Sequence, residues 1–405
     1  MTLPRGVLYL GPGDLSGYGQ AVIANVRALV NAGVPVQWVP LDWKPDRMHV
    51  GQWATLENGL PRPLLSLCGV SGYLNDVPAL IAATSASIPY DTVIAHSVPE
   101  YWPHGFRRGK RNIGCTTWEA DRCPAHWLPL LRLADHVVVP SEQNREAFRC
   151  SGLRGPLSVI PHIRRHRWRE FDRSEIAAAR SDLGIPPHHK VFYAINTWSV
   201  RKAMPDLLRA FATAFPNGEA VTLLIKTDDA GEGGGPFYAR APVQELAARE
   251  AARASEATGK PFPHFIVLDQ TLDGDELDIV HAIGDFYVSL THGEGWGLGA
   301  FEAATLGKPV AMTGWGGQLD YLGETWPGAI PYSMISAPLM PAFLPSYFPS
   351  QRWARADVAA AAQVLRALFA DPEPGIAAAR RIREDIVRRF AEPVVVGQWL
   401  ELLDA

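Results

Sequence analysis

The stretch that most constrains this chain is residues 289–317, SLTHGEGWGLGAFEAATLGKPVAMTGWGG. The apolar run DFYVSL at 285–290 leads into it and reads as a buried strand. Gly295, Gly297 and Gly299 crowd the turn that follows. AFEAATLG is rich in helix formers and stops at Gly307 and Pro309, after which KPVAM supplies a second strand. Similar strand-then-helix units recur in both halves of the chain, which predicts an α/β protein with parallel sheets and right-handed crossovers.

This order has chemical consequences. Glycines let a backbone turn sharply and approach a ligand closely. The first turn of the helix offers unpaired N–H groups and the positive end of a dipole, which suit a phosphate. Glu294 falls in the loop and Glu302 one turn into the helix, with seven residues between them. Two acceptors flanking an anion cradle suit a molecule with hydroxyls at both ends and phosphates in the middle, such as a nucleotide sugar. The plainer alternative is a strand-to-helix loop carrying two surface glutamates.

EGWGLGAFEAATLGKPV, with its Glu-x7-Glu spacing, resembles the donor-site motif of retaining, two-domain nucleotide-sugar glycosyltransferases of the GT-B fold, family 4. The resemblance implies that Glu294 holds sugar hydroxyls, Glu302 holds the ribose, and the amides near Leu298 and Gly299 hold the diphosphate. It also implies two doubly wound, Rossmann-like parallel-sheet domains facing across a cleft, with the donor mostly on the second.

Earlier in the chain, GVLYL (6–10) is a strand pattern that runs into GPGDLSGYGQ and then a helix stopped by Gly33. Gly11, Gly13, Gly17 and Gly19 crowd this turn, making an anion site plausible. The stretch resembles the same family's N-terminal glycine loop, which puts Gly17 and Gly19 beside the donor phosphates. A dinucleotide fingerprint is the rival reading, but Gly13 is followed by Gly17, and Asp42 lies too far on for a ribose carboxylate. DTVIAHSVPEYW places His96 at the carboxyl end of a strand, where parallel sheets bind ligands. By resemblance His96 contacts the donor sugar or lies near the reacting centre; the alternative is a structural histidine.

WPHGFRRGKRNIG (102–114) reads as a basic, hairpin-like loop. TTWEADRCPAHW resembles a segment of a subset of the family, leaving Trp118 and Glu119 to touch acceptor or to pack. Ser141 is a good N-cap with Asn144 at N3. Pro161-His162-Ile163 departs from the family's usual loop and runs into Arg164, Arg165, His166, Arg167, Trp168 and Arg169. That basic run suits either a lipid phosphate or a solvated linker.

In the second half, Arg201-Lys202 falls just before a helix and resembles the family's donor clamp, although Asn196 and Thr197 stand where another cation is common. Two cations there would neutralise a diphosphate as its bond to the sugar breaks. The resemblance places the nucleotide base near Gln270–Leu272, and Gly316 and Gly317 in a loop of the same region. GEGGGPFYARAP (231–242) reads as a flexible loop. The chain is expected to end in a long amphipathic helix from about Pro374, with 390–405 packing back on the first domain.

A chain of 405 residues suits two domains, here 1–170 completed by 390–405, and 171–389. With 47% apolar and 20% charged residues the composition is that of an ordinary soluble protein. No apolar run reaches membrane-spanning length. The opening MTLPRGVLYLGPG lacks a signal-peptide layout. Cysteines 68, 115, 123 and 150 show no paired spacing and read as reduced thiols of a cytoplasmic protein. Residues 1–170 hold 18 Lys+Arg against 13 Asp+Glu, a balance of +5, and the remainder holds 20 against 29, or −9. The first half is therefore a candidate to meet an anionic partner, including the inner face of a membrane; nothing points to nucleic acid. Asp228-Asp229 is adjacent where an Asp-x-Asp motif is spaced, so no metal and no cofactor beyond the donor substrate are expected.

The implied reaction moves a sugar from a nucleoside diphosphate sugar to the hydroxyl of a glycan, lipid-linked glycan or similar acceptor, with retention at the anomeric carbon. Such a transfer belongs to glycan, polysaccharide or glycolipid biosynthesis. Acceptor choice is expected in loops 43–75 and 100–125. A non-catalytic sugar-nucleotide or glycan-binding protein, or an epimerase or phosphorylase of similar architecture, are the alternatives.

Overall fold

The computed structural model describes residues 5–14, 16–41, 56–57, 60–61, 77–165, 167–216, 218–227, 242–270, 272, 274–339 and 346–405. They form two compact units, Met1–Arg167 with Val387–Ala405, and Trp168–Ile386.

The first unit is built on a parallel sheet. Its strands are β1 (Val7–Pro12), β2 (Val36–Leu41), β5 (Thr92–His96), β6 (Arg111–Cys115), β7 (His136–Val139) and β8 (Leu157–Val159), in the order β2-β1-β5-β6-β7-β8. Two short strands, β3 (Leu56–Glu57) and β4 (Leu60–Pro61), pair antiparallel in a separate ladder. Leu10 of β1 stands opposite Val39 on one side and Ala95 on the other. β1 is buried along its whole length, as an interior parallel strand must be, whereas the edge strand β2 alternates. The helix Gly17–Asn31 lays Val22, Val26 and Leu29 on Val7, Tyr9, Ile94 and Ile113. It stops where Gly33 takes φ 80°.

The same core receives Val395, Val396, Trp399, Leu402 and Leu403 from the far end of the chain. Asn31 Nδ2 donates to Glu392 Oε1 at 2.8 Å, and Arg111 Nη1 to the Leu403 carbonyl at 3.4 Å. The single long terminal helix expected from Pro374 is in fact two, Glu373–Arg389 and Glu392–Asp404. The break follows from Pro393, which has no N–H and whose ring would strike the Arg389 carbonyl in a continuous helix. The basic segment 102–114 is also more regular than a loop. It holds a short helix, Trp102–Gly105, a turn with Gly109 at φ 74°, and most of β6.

The second unit repeats the plan. β9 (Lys190–Ile195), β10 (Val221–Lys226), β11 (His264–Leu268), β12 (Phe286–Ser289), β13 (Val310–Thr313) and β14 (Ala329–Ile330) form a parallel sheet in the order β11-β10-β9-β12-β13-β14. Phe192 anchors its core, with Phe211, Phe215 and Phe286 at ring-centroid distances of 5.9, 5.5 and 4.9 Å. An antiparallel hairpin, β15 (Tyr332–Ser336) with β16 (Arg352–Ala356), is added at 332–356. The helix Arg173–Asp182 opens on a capping box made by Asp172 and Glu175. Among the described residues no helix is long and apolar enough to cross a membrane.

In each sheet the chain builds outward first to one side and then to the other. The reversal falls between β1 and β5 in the first unit and between β9 and β12 in the second. The loops leaving the carboxyl ends of such strands diverge and leave a crevice, which is where open α/β sheets hold ligands.

Candidate functional site

In the second unit, the loops that leave β9 and β12 carry the sequence-predicted cations and the first predicted acid. They are sewn together by backbone contacts. The His292 N–H donates to the Arg201 carbonyl at 2.7 Å, and Thr291 Oγ1 donates to the Arg201 and Gly293 carbonyls at 3.3 and 3.1 Å. His292 stacks on Trp353 at 5.0 Å between centroids, and its Nδ1 lies 2.9 Å from the Ala354 carbonyl oxygen, so β16 braces the loop from outside. The Gly317 N–H donates to the Glu294 carbonyl at 2.8 Å. At Gly316, with φ 126°, a Cβ would fall 3.1 Å from the Glu294 oxygen and 3.2 Å from its nitrogen. Gly316 and Gly317 thus fix the backbone of Glu294.

The Glu294 side chain is 5% exposed and sits between two cations. Lys202 Nζ is 2.5 Å from Oε1 and Arg201 Nη1 is 3.3 Å from Oε2, while the same Nη1 donates to the Gly293 carbonyl at 2.7 Å. Burial pushes the carboxyl pKa up, but Lys202 and then Arg201 pull it further down, and the net shift is downward. The group is ionised at neutral pH. Two cations against one carboxylate leave this buried trio with a net positive charge. Ala203 follows at φ 50°, the only left-handed residue other than glycine among those described. That conformation costs about 1–2 kcal/mol. It turns the chain so that the helix Met204–Ala214 starts directly after the two cations.

The helix Leu298–Thr305 starts from Gly297 at φ 85°, and no side chain caps it. Its first N–H groups, those of Leu298 and Gly299, are therefore presented without a side-chain acceptor. Gly299 is required by packing. A Cβ there would lie 2.7 Å from the Tyr287 hydroxyl and 2.9 Å from the Ile195 carbonyl oxygen. Only glycine lets the start of this helix press on the end of β9.

Glu302, one turn on, is 8% exposed. Its situation contrasts with that of Glu294: among the described residues no lysine or arginine pairs with it, and His281 Nε2, without a hydrogen-bond partner, stands 3.5 Å from Oε2. Both acids lie close enough to the buried Tyr287 phenol to help burial raise its pKa. Arg201, Lys202, Glu294, Leu298, Gly299 and Glu302 thus gather within one unit, on the loops and helix at its switch point.

His96, Gly17 and Gly19 belong to the other unit. His96 ends β5, and its Nδ1 lies 2.9 Å from the Tyr9 hydroxyl, which itself accepts from Asn25 Nδ2 at 3.3 Å. The phenolic proton is then free to go to Nδ1, leaving the histidine proton on Nε2. Burial, with His162 nearby as a second cause, lowers the His96 pKa to about 3, and burial lowers His162 to about 4, so both rings are neutral at pH 7. The Tyr18 ring meets His96 edge-on at 5.8 Å. Gly17 opens the helix Gly17–Asn31, and the Gly19 amide donates to Ser16 Oγ at 3.1 Å. A Cβ at Gly19 would sit 2.1 Å from the Asp14 carbonyl oxygen, so this glycine admits the loop that precedes the helix.

Sequence reasoning passed over Tyr9, Tyr18 and His281. Tyr9 sits in VLYL, where it reads as core, and His281 sits in DIVHAI, where it reads as one polar residue of an amphipathic helix. Only Tyr18 carried a signal, an aromatic inside a glycine loop. Trp118 is 5% exposed, lies 4.9 Å from the Trp127 ring centroid and donates its Nε1–H to the Arg122 carbonyl at 2.6 Å, while Glu119 is half-buried. Asn144 holds this segment, accepting from the Trp118 N–H at 2.7 Å. Within the basic stretches, Lys110 Nζ donates to the Tyr90 carbonyl, Arg165 is buried, and Arg169 pairs with Glu175 at 3.1 Å. Asp42, Cys68, His166, Asp228-Asp229, Thr271, most of loop 43–75 and the segment 231–241 lie outside the described residues.

The sequence matches no protein-family model and no curated protein. Solved structures do share its fold over the whole chain. HepE of Anabaena, solved with UDP and glucose, superposes with a TM-score of 0.62 at 15% identity, covering 99% of each chain. Sucrose-phosphate synthase of Thermosynechococcus elongatus gives 0.65 at 16% identity over 98% of each. WaaG, a glycosyltransferase involved in lipopolysaccharide biosynthesis, gives 0.60 at 13% identity over 98% of this chain and 99% of its own. Two parallel six-stranded sheets with flanking helices, matched end to end by these structures, give the chain the GT-B fold.

Proposed function

We propose that this protein is a retaining, metal-independent glycosyltransferase that uses a nucleoside diphosphate sugar. One observation carries the reading. At the switch point of the second sheet, the buried Arg201–Lys202–Glu294 trio, the side-chain-uncapped start of the helix Leu298–Thr305 and the Glu302 carboxylate, unpaired with lysine or arginine among the described residues, lie on the loops and helix that follow β9 and β12.

The proposed roles follow from charge. The diphosphate meets the helix-end amides of Leu298 and Gly299 and draws on Arg201 and Lys202, which carry more positive charge than Glu294 neutralises. Glu294, held ionised, accepts from sugar hydroxyls and Glu302 from the ribose. As the anomeric C–O bond breaks, negative charge grows on the leaving phosphate and positive charge on the sugar ring. The cations and amides are already in place for the first, so little reorganisation is needed. The acceptor hydroxyl adds from the face the phosphate leaves, and its proton passes to the departing phosphate oxygen. His96, neutral with its proton on Nε2, is proposed as a hydrogen-bond donor to a sugar hydroxyl. The acceptor is a glycan, lipid-linked glycan or other hydroxyl compound. The basic first unit is proposed to meet the membrane surface that carries a lipid-linked acceptor.

HepE is solved with UDP-glucose, which makes UDP-glucose the first donor to test. The decisive experiment measures thermal stabilisation by UDP, GDP and ADP, then release of the nucleoside diphosphate from the matching sugar donor with glycan acceptors present. Binding that is lost in Lys202→Ala, and an α-configured product from an α-configured donor, are expected. No stabilisation by any of the three would overturn the reading.

A further inference from the structure

His281 lies on the helix Gly274–Ile283 with its ring wholly buried. Nδ1 is 2.9 Å from the Tyr193 hydroxyl of β9, and Nε2, buried and without a hydrogen-bond partner, stands 3.5 Å from Glu302 Oε2. Trp168 packs edge-on against the ring at 5.7 Å, and the Tyr193 ring does so at 5.5 Å. The pocket is built closely. At Gly284 a Cβ would lie 2.1 Å from the Tyr193 ring, so glycine there is what admits the tyrosine. On the same helix, buried Asp278 accepts the Arg169 N–H at 2.9 Å, which holds the Trp168–Arg169 segment in place.

This arrangement has a direction. The buried Tyr193 phenol keeps its proton, so it serves as a donor, and Nδ1 of His281 is the acceptor within reach. The histidine proton then stands on Nε2, facing the carboxylate. The opposite tautomer would aim a lone pair at a carboxylate oxygen and would be repelled. Glu302 has no other polar side-chain partner among the described residues.

We propose that His281 is a positioning residue: with Tyr193 behind it, its otherwise unpartnered Nε2–H attracts one oxygen of Glu302 from 3.5 Å, so that the carboxylate is aimed at the vicinal hydroxyls of the ribose of a nucleoside diphosphate. The inference rests on the donor-site reading above and deepens it, adding a second layer to the ribose contact.

The test is calorimetric binding of UDP, GDP and ADP, each against its 2′,3′-dideoxy counterpart. It is run on wild type, Glu302→Gln, His281→Leu, His281→Gln and Tyr193→Phe, with circular dichroism to show that each folds. Wild type should prefer the ribose form of its nucleotide by about tenfold or more, and Glu302→Gln and His281→Leu should bring that ratio to within about twofold of unity. His281→Gln, whose amide N–H replaces Nε2–H, should keep most of the preference; a merely space-filling histidine would not be rescued this way. An unchanged ratio in a folded His281→Leu, beside a lost ratio in Glu302→Gln, overturns the inference and leaves the donor-site reading standing. Absence of binding by all three diphosphates to wild type overturns both. Should His281→Leu fail to fold, Tyr193→Phe decides: a ratio lowered about threefold supports the relay, and an unchanged ratio sinks it.

Discussion

Lys202 Nζ and Glu294 Oε1 stand 2.5 Å apart although 92 residues separate them in the chain. The pair is nearly buried, with side-chain exposures of 11% and 7%. Removing one member therefore leaves a charge in a place that water reaches poorly. Breaking such a pair typically costs about 3–5 kcal/mol, and Arg201, still beside Glu294, brings the expectation to the lower end. Lys202→Ala should lower the unfolding free energy in urea by about that much. The double variant Lys202→Ala/Glu294→Gln should recover much of the stability but none of the turnover. Additive losses in this cycle would show the two groups to be uncoupled.

Acid should act on the same trio. The Glu294 pKa is lowered in the folded state from an ordinary 4.5, so its contribution is complete above that value and is lost as pH falls through the folded pKa. Denaturation midpoints measured from pH 6 down to about 3 should fall more steeply for wild type than for Glu294→Gln.

In the first unit the sign is again one of stability rising with pH, for a different reason. His96 and His162 are lowered from 6.5 to about 3 and about 4, so between these values and 6.5 the unfolded chain takes up protons that the fold refuses. Each histidine can contribute up to about 1.4 kcal/mol per pH unit in that window. His96→Gln should flatten the pH dependence of unfolding between about pH 4 and 6, read by tryptophan fluorescence, and an unchanged slope would contradict a buried neutral His96.

Glycine substitutions should separate packing from mere flexibility. Gly299→Ala drives a methyl onto the Tyr287 hydroxyl and the Ile195 carbonyl, and overpacking of this kind costs about 1–3 kcal/mol. Weaker nucleotide binding should accompany it, because the displaced helix start carries the proposed phosphate amides. Gly155→Ala, which meets nothing within 4 Å, is the control and should change the thermal midpoint little.

Because the cations and helix amides supply the positive charge assigned to the leaving group, turnover should survive an excess of EDTA unchanged. Loss of turnover in chelator, restored by Mg²⁺ or Mn²⁺, would remove metal independence from the proposal.

Much of the second sheet's switch point was legible because its signals are local. DFYVSL, the glycines and AFEAATLG each announce their own conformation, and β12 and the helix Leu298–Thr305 fall where that pattern places them. Partnerships across the sheet left no such trace. Arg201 and Lys202 read as a surface pair in isolation, and only the adjacency of β9 to β12 turns them toward Glu294. His281 was hidden for a related reason: its chemistry comes from a tyrosine 88 residues earlier and an acid on the next helix. The terminal helix was read through Pro393 because amphipathic periodicity outweighed a single imino acid.

The first unit's core holds Val395, Trp399 and Leu403, yet the chain leaves that unit at Arg167 and re-enters it only at Val387. During synthesis, then, residues 1–167 must wait for residues 387–403 before their shared core is complete, whereas the intervening unit is closed once Ile386 is made. Chaperone demand and premature-stop toxicity should both concentrate on that unfinished N-terminal half.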